Sequence, residues 1–314
     1  MVAFVKSIVM LLASSGASRN LKKLPPQVMQ SQGRIETVKP SLDELSRTTV
    51  FHKLADDFFP GCLRGEQVFV KTINTLELYG LDKESTLCAL SVCPDEINHK
   101  IGDITDLFHG HFGRVFHLGG LGGIPFTGKT GFSAYSNHVT EHNGNCFVVM
   151  APHIGLSSTQ LLGMYTTNDD PNNYKERSAC GAAIGALQYC LAEKQVPDLS
   201  DDASDYQEDY IIQQVKKHQE EIVNQDSDNA MQATLAHHMW QLGKEKLDQV
   251  VNTDFGGPRS KLMVLTGVMI NMPPPYGDLF QPLTFDLYLK DGTVLNVFEE
   301  TFGRRQSRIS KLKP

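Results

Sequence analysis

Apolar positions along the chain recur either at helical spacing or in short continuous runs bounded by turn residues. Helical spacing predicts helices over 41–58 and 66–80. Residues 86–93, Thr-Leu-Cys-Ala-Leu-Ser-Val-Cys, form a short apolar run that predicts a buried strand. Ile101, Ile104, Leu107 and Phe108 then return to helical spacing and predict a helix around 97–109. Val115–Leu118 predicts a short strand, followed by a glycine-dense loop from Gly119 to Gly131. A helix or turn with Tyr135 and His138 leads to a strand over 145–151. The run 168–173 has turn composition, and a helix is predicted over 177–194. Two polar helices follow at 204–224 and 228–252. The apolar run 262–271 predicts a strand that Pro273-Pro274-Pro275 ends. Strands 283–289 and 293–299 flank Asp291-Gly292, a hairpin signal.

This order predicts an α/β protein with a mainly parallel central sheet flanked by helices, a helical lead-in and a C-terminal hairpin. One α/β domain is expected over 46–302, with a basic flexible tail over 303–314. Residues 1–20 carry Lys6, a short apolar stretch and then small residues, which reads as a targeting segment or an ordinary first helix. Residues 21–45, rich in Lys, Pro, Gln and Ser, read as a linker. A targeting segment implies a secretory-type route. No stretch is long and apolar enough to predict a transmembrane span.

Composition narrows the classes. A net charge of -7 over 314 residues argues against a nucleic-acid binder. Six cysteines without a C-x-x-C pair make neither a disulfide framework nor a zinc finger. Cys62, Cys88, Cys146 and Cys190 read as apolar packing.

Cys93 and His153 stand apart, because each ends a predicted strand. Ligands of open α/β sheets bind outside the carboxyl ends of the strands. Cys180 lies near a predicted helix start, where positive partial charge favours a thiolate. Two thiolates and an imidazole leave the fourth position on zinc open for water, the pattern of a catalytic site. The plainer alternative is three unrelated core residues. His109, His111 and His117 are candidate proton carriers. His138 and His142 stand at i,i+4, without the glutamate of a metalloprotease motif, and His237-His238 reads as solvent-facing. Residues 123–130 fit G-x-x-x-x-G-K-T, but Pro125 removes a cradle N–H and the preceding strand ends too early for a P-loop.

Cys93-Pro94-Asp95 resembles the Cys-x-Asp of β-class carbonic anhydrases. The glycine-rich stretch 117–132, with Ala151-Pro152-His153-Ile154-Gly155 and Ala179-Cys180-Gly181-Ala182, resembles the limiting-CO2-inducible B family of algae, some members of which are called theta-class carbonic anhydrases. The resemblance covers roughly residues 50–300. It implies a fold similar to β-class carbonic anhydrases and Zn2+ held by Cys93, His153 and Cys180. It also implies reversible hydration of CO2 to bicarbonate in an algal CO2-concentrating mechanism, by a homodimer or a hetero-oligomer with a paralogue. Asp95 becomes the candidate partner of zinc-bound water, or a gate that occupies the metal. The β-class motif places an arginine two residues after this aspartate; here Ile97 stands there, and Arg114 is the candidate replacement. The β-class also uses a tight His-x-x-Cys, whereas the long 153–180 spacing suits the algal family. The alternative function is a non-catalytic, zinc-containing assembly subunit that works with a paralogue. Helices 204–252 would then be a partner surface rather than a solvated layer.

Overall fold

The computed structural model describes residues 42–139, 144–167, 175–199, 205–251 and 254–304. The targeting segment, most of the linker, the 168–173 turn, His142 and nearly all of the basic tail lie outside the described residues. The chain divides into Met1–Glu44 and Leu45–Pro314, and the second unit holds every strand of the protein's described residues.

Helix α1 (Leu42–Phe58) begins inside the stretch read as linker and leads through β1 (Leu63–Arg64) to α2 (Gly65–Leu78) and β2 (Thr86–Val92). Then come α3 (Ile104–Phe112), β3 (Val115–His117), α4 (Gly128–Asn137), β4 (Asn145–Ala151) and β5 (His153–Gly155). A two-stranded sheet of β6 (Met164–Thr167) and β7 (Lys175–Ser178) precedes α5 (Gly181–Leu191). Helices α6 (Tyr206–Lys217), α7 (Gln219–Val223) and α8 (Asp228–Val250) come next. The chain closes with β8 (Leu262–Asn271), β9 (Leu279–Tyr288), β10 (Val294–Asn296) and α9 (Phe298–Phe302).

The main sheet runs β1-β9-β8-β4-β2-β3, with β10 on β9 and β5 on β8. β3, β2, β4, β5 and β8 pair in parallel, while β9, β1 and β10 form an antiparallel margin. The expected mixed α/β architecture is therefore present, hairpin included. The core strands read as continuous apolar runs because both faces are covered. On β4, Phe147 and Val149 meet Leu76 of α2 and Phe108 of α3. The alternate residues Cys146, Val148 and Met150 meet Phe132 of α4 and Leu247 of α8. Cys88 and Cys146 are fully buried in this core and Cys190 in the α5–α6 cluster, as apolar packing requires. Cys62 is partly buried, and burial pushes its thiol up to about 12.

Several elements differ from the periodicity. The helix expected from 97 starts at Ile104, because Glu96–Asn98 forms a 3-10 turn and Gly102 adopts a φ of +91°. Ile101 consequently points to solvent rather than into the core. Residues 175–178, expected in part to open a helix, pair as β7 with β6. The polar helix 204–224 breaks at His218. His237 is not solvent-facing: its Nε2 meets Gln281 Oε1 at 2.8 Å and its Nδ1 meets the Ala233 carbonyl at 2.9 Å.

The glycine-rich loop wedges against the strand ends that carry the candidate ligands. A Cβ on Gly119 would collide with the Val92 backbone, and one on Gly123 with the Ala151 carbonyl. Glycine permits both approaches, and Gly123 also takes a φ of +75°. The loop spends its N–H groups on itself. Gly120 N donates to Ile124 O at 2.9 Å, Gly123 N to Gly120 O at 3.0 Å and Gly128 N to Pro125 O at 3.1 Å. A phosphate cradle needs those donors free, so residues 123–130 do not form one here.

Candidate metal centre

Three separate elements bring Cys93, His153 and Cys180 together. Cys93 directly succeeds the last residue of β2. Its carbonyl accepts from Asn98 Nδ2 at 3.3 Å, which ties the outgoing turn back to the strand end. Pro152 separates β4 from β5 without changing register: Met150 pairs with Thr266, and His153 pairs with Met269. The neighbouring strand thus carries the chain past the proline and sets His153 at the carboxyl end of the parallel core.

Cys180 caps the N-terminus of α5. The β6–β7 hairpin that fills the spacing from His153 is pinned where it returns. Gly155 N donates to Ala179 O at 2.9 Å, and Ala179 N donates to Gly163 O at 3.0 Å. The long spacing is therefore a closed excursion that brings Cys180 back to His153.

All three residues are 3% exposed, and their donor atoms lie within 4.8 Å of one another. The two sulfurs are 3.8 Å apart. Two thiolates on a tetrahedral zinc, at about 2.3 Å each, would be separated by about 3.8 Å. His153 Nε2 is buried with no hydrogen-bond partner. Such an atom costs about 1–3 kcal/mol when it is left unsatisfied. An ion bound by the three side chains would satisfy it, so the residues present fit a metal.

The electrostatics divide the pair of thiols. The hydrogen bond with Cys180, and then burial, push the Cys93 thiol well above its ordinary range. The same bond holds the Cys180 thiol below its ordinary value against burial, helped by the backbone N–H groups of Ala183 and Ala182. Burial opposes charge on His153, but the influence of Cys93, Asn271 and Asp95 outweighs it and the net shift is upward.

A chain of polar groups behind His153 sets its orientation. Nδ1 faces Asn271 Oδ1 at 2.8 Å. Asn271 Nδ2 donates to Asp278 Oδ2 at 2.9 Å and to Asn98 Oδ1 at 3.2 Å. Asp278 Oδ1 accepts from Met272 N at 2.8 Å. Because the Asp278 carboxylate only accepts, it turns the Asn271 amine towards itself and the Asn271 oxygen towards His153. The proton of a neutral His153 ring then sits on Nδ1, and the lone pair of Nε2 points at the sulfurs. Periodicity carries no signal for Asn271, Asp278 or Asn98 as participants. A polar Asn at the end of an otherwise apolar strand is the one visible hint.

Asp95 stays beside the group, partly exposed, with Oδ2 3.6 Å from His153 Nε2 and Oδ1 accepting from Ile97 N at 3.4 Å. Arg114 does not join them. It is exposed at the amino end of β3, where Val115 pairs with Cys88. That register leaves it roughly 20 Å short of the Cys93 end of the sheet at about 3.3 Å per residue. Arg114 therefore cannot hold Asp95 away from a metal within this chain. Among the candidate proton carriers, His109 and His117 approach each other at 5.8 Å, and His111 packs edge-on against Phe69. Pro152, Ile184, Leu235 and Met239 line a small, mostly apolar pocket against His153 and Cys180.

A sequence model of the limiting CO2-inducible proteins B/C beta carbonic anhydrases matches residues 63–289. The chain belongs to this family. The limiting-CO2-inducible fold also recurs in solved structures. PtLCIB4, described as a homologue of the limiting CO2-inducible protein LCIB, superposes with a TM-score of 0.69 at 23% identity, over 78% of this chain and 98% of that one. LCIB itself gives 0.56 at 17% identity, over 76% and 95% of the respective chains. At these identities the likeness is one of fold. A comparison with curated proteins gave no match. Among the described residues, no helix of this LCIB-family chain is long and apolar enough to cross a membrane.

Proposed function

We propose that this chain is a zinc-dependent carbonic anhydrase that interconverts CO2 and bicarbonate. The observation that carries the reading is the convergence of Cys93, His153 and Cys180 around an unpartnered His153 Nε2 at the carboxyl end of a parallel sheet. Membership of a carbonic-anhydrase family supports the same chemistry. Cys93, Cys180 and His153 would hold the ion. When bound, zinc supplies Lewis acidity that brings the pKa of water to about 7. Asp278 and Asn271 place the proton of a neutral His153 ring on Nδ1 and leave Nε2 aimed at the sulfurs. Asp95, 3.6 Å from Nε2 and partly exposed, would accept a proton at Oδ2 and pass it towards solvent. The small, mostly apolar pocket beside His153 and Cys180 suits an uncharged substrate such as CO2. A plastid or secretory-route location, a role in CO2 concentration and a homodimeric or paralogue-containing assembly complete the proposal.

One observation favours a second reading. Asp95 Oδ2 is close enough to His153 Nε2 to become a fourth ligand, and the buried Ile97 offers no cation to hold it back. Held there, Asp95 would leave a zinc-containing but inactive subunit that depends on a paralogue.

Stopped-flow CO2 hydration by the purified full chain, with zinc measured on the same sample, tests both readings. Turnover with one zinc per chain, abolished by Cys93→Ala, His153→Ala or Cys180→Ala, is the expected result. Asp95→Ala should lower turnover by about 100-fold, the lower end for a positioned acid–base group. Full zinc occupancy without turnover would replace the enzyme reading with the blocked subunit, and Asp95→Ala should then gain activity. A folded protein that takes up no zinc would overturn both.

A further inference from the structure

A second group of metal-ligating side chains gathers where α6, α7 and α8 meet. His218 occupies the break between α6 and α7, Glu221 lies in α7, and His238 lies in α8. Their donor atoms all lie within 4.8 Å of one another. Glu221 Oε2 is 3.3 Å from His238 Nε2, and the two imidazoles stack with centroids 4.6 Å apart at 30°. We propose that His218, Glu221 and His238 form a second divalent-metal site, of the imidazole–carboxylate class that takes Zn2+, Co2+, Ni2+ or Cu2+.

Donor chemistry and spacing carry the assignment. Two imidazoles with one carboxylate suit borderline first-row ions rather than Ca2+ or Mg2+, which prefer all-oxygen shells. On a tetrahedral ion with bonds of about 2.0–2.1 Å, neighbouring donor atoms stand about 3.4 Å apart. The Glu221–His238 pair already has 3.3 Å, and the His218 donor lies within 4.8 Å of both.

The surroundings leave room for solvent ligands. A cavity of about 70 Å³ opens beside the two rings, bordered by Gln214, Gln241 and Glu245. A water occupies about 30 Å³ of liquid, so one or two fit. An ion pair between Glu221 and His238 accounts for that contact, but not for the stacking of the His218 ring on the same imidazole. Three donors from three helical segments also fix those segments to one another. His238 adjoins Met239, which lines the pocket beside His153 and Cys180, so an ion here would brace the wall of the first centre.

Titration of the chelator-treated full-length protein with Co2+ alone tests the site apart from any carbonic anhydrase activity. Cobalt bound by Cys93 and Cys180 gives a thiolate-to-metal charge-transfer band, whereas cobalt bound by His218, Glu221 and His238 gives none. The expected result is two Co2+ per chain, one with the band and one without. His218→Ala, a change at an exposed residue, should abolish the bandless ion or weaken it by at least about 100-fold while leaving the band intact. Glu221→Gln, which keeps the shape of the side chain, should weaken the same ion. One Co2+ per chain in the wild-type protein would overturn the proposal. So would a bandless ion that survives both substitutions, which would then be bound elsewhere.

Discussion

Asp278→Asn replaces an acceptor-only group with an amide of the same shape and leaves no cavity. Asp278 Oδ2 accepts from Asn271 Nδ2 at 2.9 Å and Oδ1 accepts from Met272 N at 2.8 Å. An asparagine there must turn its own amine towards one of those two donors. Either Asn271 turns over, offers its amine to His153 Nδ1 and drives the ring proton to Nε2, or a buried donor goes unpaired. Losing one hydrogen bond to a charged group costs about 1.5–3 kcal/mol. Loss of a partner behind a ligating histidine lowers metal affinity by about 10–100-fold. At about 1.4 kcal/mol per decade that is about 1.4–2.8 kcal/mol, the same range reached independently. The assay is competition for Zn2+ with a chromophoric chelator, with circular dichroism to confirm the fold. Zinc affinity within about twofold of wild type, in a folded variant, would refute the claim that Asp278 sets the tautomer of His153.

Two further predictions concern stability. Gly123 has a φ of +75° and faces the Ala151 carbonyl, so Gly123→Ala should cost about 1–3 kcal/mol in urea unfolding; an unchanged midpoint would show that the loop relaxes freely. Burial, with the charge of Asp278, pushes the Asp103 carboxyl from 3.8 up to about 7. A folded pKa above the unfolded one means that the protonated carboxyl favours the native state. Its contribution is complete below the unfolded value of 3.8 and is lost as pH climbs through about 7. Wild-type stability should therefore fall between about pH 4 and pH 7, and Asp103→Asn should fall less; equal losses in the two proteins would remove Asp103 from the pH dependence.

Much of the scaffold was legible because local chemistry speaks for it. The apolar runs before Cys93 and before His153 are short, continuous and flanked by turn residues, as strands buried on both faces require, and the structure forms them as β2 and β4. Asp291-Gly292 marked the hairpin, where Gly292 takes a φ of +86°. The boundaries failed where a residue's fate depends on a distant partner. Arg177 and Ser178 look like the start of a helix until β6 is placed beside them. Ile101 fits a helical stripe, yet Gly102 turns the chain first and leaves it in solvent.

The sequence by itself determined the α/β order, the residue types able to bind a metal, and the placing of Cys93 and His153 at strand ends. Each comes from periodicity and side-chain chemistry read over a few neighbours. Only the tertiary structure decided which of those residues meet. The register of β5 on β8 sets Asn271 behind His153 across a separation of 118 residues, and the β6–β7 hairpin returns Cys180 to the same point. The register of β3 on β2 leaves Arg114 at the opposite end. Helix packing half-buries His237 against Gln281 while it gathers His218, Glu221 and His238. Pairing register and helix packing are sums over many long-range contacts, and no window of neighbouring residues contains them.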